Sequence, residues 1–265
     1  MKMTIPERPS AASGRTSVVL LLASLALVAC APAVVAPVAM QKMHPLGEEE
    51  LQQRFPSYQG GLFRPAGGSE DSPGFGILFS PGEQCDTVLL TGFSNSRAWS
   101  YEVPVEREGM DIESVTVKSM HIGSVDDEEN PELFTVLKVE SRDKKRGIRQ
   151  SREALYLFRL GERVQLLWYA TLRLSADQEH PCGVGGIRYE ADVTFQTTDE
   201  LLTGIRLQGD VVGKRCVGGP TCDKKRTCLG ARNQRILQYQ WDPNLQGFRG
   251  RDDPSAVLMV PDVSY

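Results

Sequence analysis

The chain has 265 residues, 40% of them apolar, and a formal charge of -4. So small a net charge does not favour a polyanionic partner for the whole molecule, which argues against nucleic acid. The length leaves room for at least one well-buried core.

The first 29 residues read as an export signal. Lys2, Arg8 and Arg15 precede an apolar run from Val18 to Val28, which ends at Ala29-Cys30. About a dozen apolar residues are too few to cross some 30 Å of hydrocarbon as a helix, but they suit a signal peptide. Leu27-Val28-Ala29-Cys30 resembles the lipobox of bacterial lipoproteins. That resemblance implies cleavage before Cys30, a diacylglycerol on its thiol and an acyl chain on the new amino group. Ala31 stands where an aspartate often signals inner-membrane retention, so the implied address is the outer membrane, facing the periplasm or the exterior. Two or three fatty chains, at about 0.8 kcal/mol per buried CH₂, hold a protein at a bilayer where one chain does not.

Residues 30–73 read as a tether. The stretch after Cys30 has two prolines, Pro32 and Pro37, and no polar face, and the following residues are rich in Gly, Pro and Glu. Within them, Glu48 to Phe55 predicts a short helix with its acids in the first turn, where the helix dipole favours them.

From residue 74 to 265 the apolar period is two, which predicts an all-β, antiparallel domain. Trp99, Tyr101, Val103 and Val105 alternate with polar residues, and Pro104 points to a sheet edge. Fuller apolar runs at 133–139, 154–160 and 164–172 predict strands buried on both faces. With segments at 76–79, 87–90, 115–121, 193–195, 201–207 and 236–241, this makes about ten strands. They arrange as two similar four-stranded units, near 115–172 and 192–249, each with its longest and most basic loop between the second and third strands. The second of these loops, 209–235, is rich in Cys, Lys and Arg.

The segment Ser124-Val125-Asp126-Asp127-Glu128-Glu129-Asn130-Pro131-Glu132 resembles the D-x-D-G-D-G-x-x-E turn of FG-GAP/VCBS-type β-propeller repeats. The resemblance implies four-stranded blades, with calcium held by Asp126, Glu128, Asn130 and Glu132. Ser124 replaces the first aspartate, and Asp127 and Glu129 replace the glycines that the bend around calcium normally uses. A partial propeller, a β-sandwich and a barrel all fit the pattern.

Catalytic signatures are sparse. His44, His121 and His180 have no zinc spacing, and Gly92-Phe93-Ser94-Asn95-Ser96 does not match the G-x-S-x-G nucleophile elbow. No phosphate-cradling glycine loop precedes a helix pattern. The expectation is a non-enzymatic protein without a cofactor, with His121 half-buried in a strand and His180 solvated. The alternatives are an envelope hydrolase of glycan or peptide, using Asp126, Glu128 or Asp192 as acid and base, and a calcium-dependent adhesin.

Beyond Cys30 there are five cysteines: Cys85, Cys182, Cys216, Cys222 and Cys228. Export places them where disulfides persist. One bridge within 216–228 and a longer one from Cys85 or Cys182 would leave a fifth thiol over, and spacing does not fix the connectivity. Zinc held by His180, Cys182 and the loop cysteines would lack the usual C-x2-4-C spacing.

Cations gather in two places. Arg142, Lys144, Lys145, Arg146, Arg149 and Arg152 form one group; Lys214, Arg215, Lys224, Lys225, Arg226, Arg232 and Arg235 form the other. If the two units are equivalent, both groups emerge at one end as a basic pole, partly neutralised by the acidic run at 126–129. Such a pole would contact an acidic glycan, a lipopolysaccharide phosphate or an acidic protein face. Two loops kept soluble by charge are the plainer reading of the same residues. The functional expectation is a membrane-anchored envelope protein with a binding or structural role.

Overall fold

The structure, a computed structural model, describes residues 40–68, 72–80, 87–93, 98–105, 110–124, 131–144, 147–161, 163–180, 183–198, 201–217 and 227–250. Among the described residues the chain is all-β apart from one helix. Its first part comprises β1 (Gln41–Pro45), α1 (Glu48–Arg54), β2 (Gln59–Pro65), β3 (Gly74–Ser80), β4 (Thr87–Phe93) and β5 (Ala98–Glu102). Four long strands follow: β6 (Asp111–Gly123), β7 (Glu132–Asp143), β8 (Ile148–Leu160) and β9 (Val164–His180). The last are β10 (Gly183–Thr198), β11 (Leu201–Val217), β12 (Thr227–Asp242) and β13 (Gly247–Gly250).

All thirteen strands join one antiparallel sheet, ordered β13-β12-β11-β10-β9-β8-β7-β6-β1-β2-β3-β4-β5. The two expected four-stranded units correspond to β6–β9 and β10–β13. They are not separate blades, because β9 and β10 pair directly from Arg173↔Glu190 to His180↔Gly183. Nor does the fold start near residue 74. β1 docks between β6 and β2, and α1 and β2 belong to the same body.

The central ribbon β7–β9 is buried on both faces, as its apolar runs require. On β8, Ala154, Tyr156 and Phe158 enter one core while Leu155 and Leu157 enter another. On β7, Leu133, Leu137 and Val139 oppose Phe134 and Val136 in the same way. The first half of the chain covers one face with Phe75, Ile77, Phe79, Leu90 and Val103. The second half covers the other with Val193, Ile205, Leu207 and Tyr239. Each fully buried side chain of this size contributes about 1.5–3 kcal/mol.

The sheet must fold back on itself twice, in opposite senses, to do this. Tyr101 meets Phe158 edge-on at 5.8 Å, and the Tyr156 hydroxyl donates to the Pro104 carbonyl at 3.1 Å. On the other face Trp168 meets Tyr239 at 5.5 Å and Phe134 meets Phe195 at 5.7 Å. Register shifts supply the bending, since an extra residue sharpens the local twist. Against β8, β9 carries two: Glu153 and Ala154 face Arg173 and Thr171, and Leu157 and Phe158 face Trp168 and Leu166. A third, smaller cluster joins Leu51 of α1 to Leu62, Leu78 and Phe93 on the outer face of β2–β4.

Candidate functional site

Strand direction alternates from β6 to β13, so the links between strands fall alternately at two ends. The β7–β8, β9–β10 and β11–β12 links share one end. Residues 144–147, 181–182 and 218–226 make up those links and contain six Lys or Arg and one Asp. At the opposite end, residues 124–131, 161–163, 199–200 and 243–246 contain seven Asp or Glu and one Arg. The links between strands therefore differ in charge at the two ends.

The order of the strands bears on the expectation that the acidic run at 126–129 neutralises part of the basic pole. That run links β6 to β7, at the far end of β7 from the basic hairpin. The twelve residues of β7 extend about 40 Å at strand rise, against a screening length of about 8–10 Å at physiological salt. Asp126 to Glu129 themselves lie outside the described residues.

Much of what reads as basic loop is strand. Arg142 and Arg149 are directly opposed on β7 and β8, and Arg149 is also opposed to Asp177 on β9. Arg142 lies 4.0 Å from Glu113. Lys144 is exposed in a turn that Gly147 completes at φ 66, a conformation L side chains rarely adopt. Arg152 is buried, 5% exposed, and so does not belong to the solvated set. Lys214 and Arg215 lie on β11, opposite Gly230 and Leu229 of β12. The paired register from Gly204↔Gln240 to Val217↔Thr227 reduces the expected 209–235 loop to residues 218–226. Lys145, Arg146, Lys224, Lys225 and Arg226 lie outside the described residues.

Below the basic end, a groove of about 580 Å³ crosses β8–β11. Ser151, Glu153, Arg173, Ser175, Arg188 and Glu190 line it. Arg173 reaches Glu190 at 2.9 Å and Glu153 at 3.9 Å. Sequence reasoning missed this ladder, because its members are 17 to 20 residues apart and meet only through strand register. Ser151 and Arg149 occupy alternate positions of β8 on one face, so the groove leads up to the basic end.

Glu132 does not serve a calcium turn: its carboxylate is wholly buried and accepts from the Arg159 guanidinium at 3.1 Å, the two residues being directly opposed across β7 and β8. Arg159 also sits over the Trp241 ring at 5.3 Å. Asp126, Glu128 and Asn130 lie outside the described residues. Among the described residues no group of three or more His, Cys, Asp or Glu could hold a metal ion. Asp192 is exposed on β10. His121 is a partly buried strand residue, and burial, then the Lys42 ammonium opposite it, holds its imidazole below the ordinary value. Cys30, Cys85, Cys182 and Cys222 lie outside the described residues, while Cys216 and Cys228 lie on neighbouring strands. No helix among the described residues is long and apolar enough to cross a membrane.

No protein-family model matches the chain, and no curated protein or solved structure is detectably similar to it.

Proposed function

We propose that the chain is a lipid-anchored bacterial envelope protein that binds an anionic partner, glycan or protein, through the basic end of its sheet. The observation that carries this reading is the segregation of charge: six cations against one acid in the links at one end, seven acids against one cation at the other. A sheet charged only for solubility would mix the two signs. The lipobox-like segment ending at Cys30 supplies the anchor, and with it the outer-membrane address.

β1 enters the sheet at Gln41, opposite Ile122, which is the acidic end of β6. Asp111, at the basic end, is eleven residues further along that strand, about 36 Å at strand rise. The first described strand thus begins at the end of the sheet remote from the basic links. We read the role as structural or binding rather than catalytic: two of the groove's three carboxylates, Glu153 and Glu190, are engaged with Arg173.

Two measurements test the reading. Cells fed a labelled palmitate analogue should label the mature chain but not its Cys30→Ser variant; an unlabelled chain would remove the anchor. Replacing Arg142, Lys144 and Arg149 with Ser should reduce retention on envelope fractions at low salt. High salt should reduce wild-type retention in the same way, because exposed charges are screened. Retention that ignores both changes would remove the basic end as the binding surface.

A further inference from the structure

We infer that Cys216 and Cys228 form a cross-strand disulfide that closes the basic β11–β12 link. The three cysteines at 216, 222 and 228 allow three pairings, and backbone register selects one. β11 and β12 are paired through Lys214↔Gly230, Arg215↔Leu229, Cys216↔Cys228 and Val217↔Thr227. The two cysteines are therefore direct partners, one residue from the end of the ladder. Direct partners in an antiparallel pair share a face of the sheet, with Cα atoms about 4.5 or 5.5 Å apart according to the hydrogen-bonding site. Both spacings lie inside the range of about 4.4–6.8 Å that a disulfide accepts. The register thus brings the two cysteines within the reach that a disulfide requires.

The bond forms by exchange with an oxidising disulfide. The thiolate of one cysteine attacks that disulfide, giving a mixed disulfide and releasing one thiol of the oxidant. The second cysteine then attacks the protein sulfur of the mixed disulfide and releases the other thiol. Two cysteine thiols thus lose two protons and two electrons, and the oxidant's S–S bond becomes two thiols. The ring so closed spans residues 216–228, so Cys222, Lys224, Lys225 and Arg226 fall within it and Lys214 and Arg215 directly precede it in sequence. It ties the cation-rich link to a fixed strand end. Persistence of the bond in cells rests on the export reading, but the pairing itself does not.

Tryptic mapping separates these possibilities, because cleavage after Arg215, Lys224, Arg226 and Arg232 puts Cys216 and Cys222 on peptide 216–224 and Cys228 on peptide 227–232. The purified full chain, equilibrated with oxidised and reduced glutathione and then alkylated, should yield these two peptides linked. The link should persist in Cys222→Ala and vanish in Cys216→Ala. A link lost in Cys222→Ala and kept in Cys216→Ala would overturn the assignment in favour of Cys222–Cys228. So would peptide 227–232 found alkylated, or joined to the peptide that carries Cys182. The same mapping on acid-quenched cells isolates the other premise. Linked peptides in vitro but alkylated thiols in cells would contradict the export reading and leave the pairing standing.

Discussion

The Glu132–Arg159 pair offers the sharpest test of how the fold is held together. Its carboxylate is 0% exposed and its guanidinium 7%, and the Leu160 amide donates to the Pro131 carbonyl at 2.9 Å beside it. Removing one member of such a pair leaves the other as an uncompensated buried charge, which costs about 3–5 kcal/mol. The two single substitutions are not equal. In Glu132→Gln the guanidinium keeps the Trp241 ring and an amide oxygen to donate to, so the loss falls near 3 kcal/mol. In Arg159→Met the buried carboxylate loses its guanidinium and the cation–π contact, worth up to about 2 kcal/mol when desolvated, is lost as well, so the cost approaches 5 kcal/mol. Combining Glu132→Gln with Arg159→Met removes both charges together, and the double variant should be destabilised by about 0.5–3 kcal/mol less than the sum of its singles. Urea unfolding followed by tryptophan fluorescence gives all four stabilities. A single-variant cost below about 1 kcal/mol, the value of an exposed pair, would refute the picture of a desolvated cross-strand bridge.

Three further outcomes follow from particular residues. His121 carries a lowered folded-state value, so the unfolded chain takes up its proton first as pH falls below about 6.5. Stability should fall as pH drops through that window, and His121→Phe should flatten the slope; an unchanged slope in urea midpoints would contradict it. Tyr239 is pushed up to about 12 by burial and then by Tyr169, so stability should hold to about pH 10 and decline between about 10 and 12 as the unfolded chain ionises first. Absorbance at alkaline pH would report early ionisation if the phenol were instead exposed. Gly60 sits at φ 135 with the Ile77 carbonyl 1.9 Å from where a Cβ would be, so Gly60→Ala should cost about 3 kcal/mol or more by thermal melting; an alanine tolerated within a few tenths would mean that β2 does not lie against β3 as described.

The double-sided strands were legible because both faces of residues 133–139 and 154–160 are apolar, a pattern few other environments tolerate. β1 was not: only Met43 of Gln41–Pro45 is buried, so no alternation marks it. β2 carries Gly60, Gly61 and Pro65, the composition of a turn, and pairs through its backbone instead. Strand lengths were underestimated where polar residues continue the ladder. Arg173 to His180 of β9 and Gly209 to Val217 of β11 read as loop but stay in register. The charge segregation was implicit in the meander itself. A turn between the first and second strands and a loop between the second and third necessarily lie at opposite ends, once the strand count is right. The Glu153–Arg173–Glu190 ladder, in contrast, depends on register shifted by the bulge in β9, which no local pattern reveals.

The measurement that bears most directly on the binding proposal compares the two ends of the sheet in one assay. Arg142, Lys144 and Arg149 are replaced with Ser in one variant, and Asp199, Glu200 and Glu162 in another, and retention on isolated envelopes is followed from low to high salt. Removing the cations should lower low-salt retention about tenfold or more and flatten its salt dependence, while removing the acids should leave retention unchanged or raise it. Equal losses from both variants, or a larger loss from the acidic end, would contradict the account.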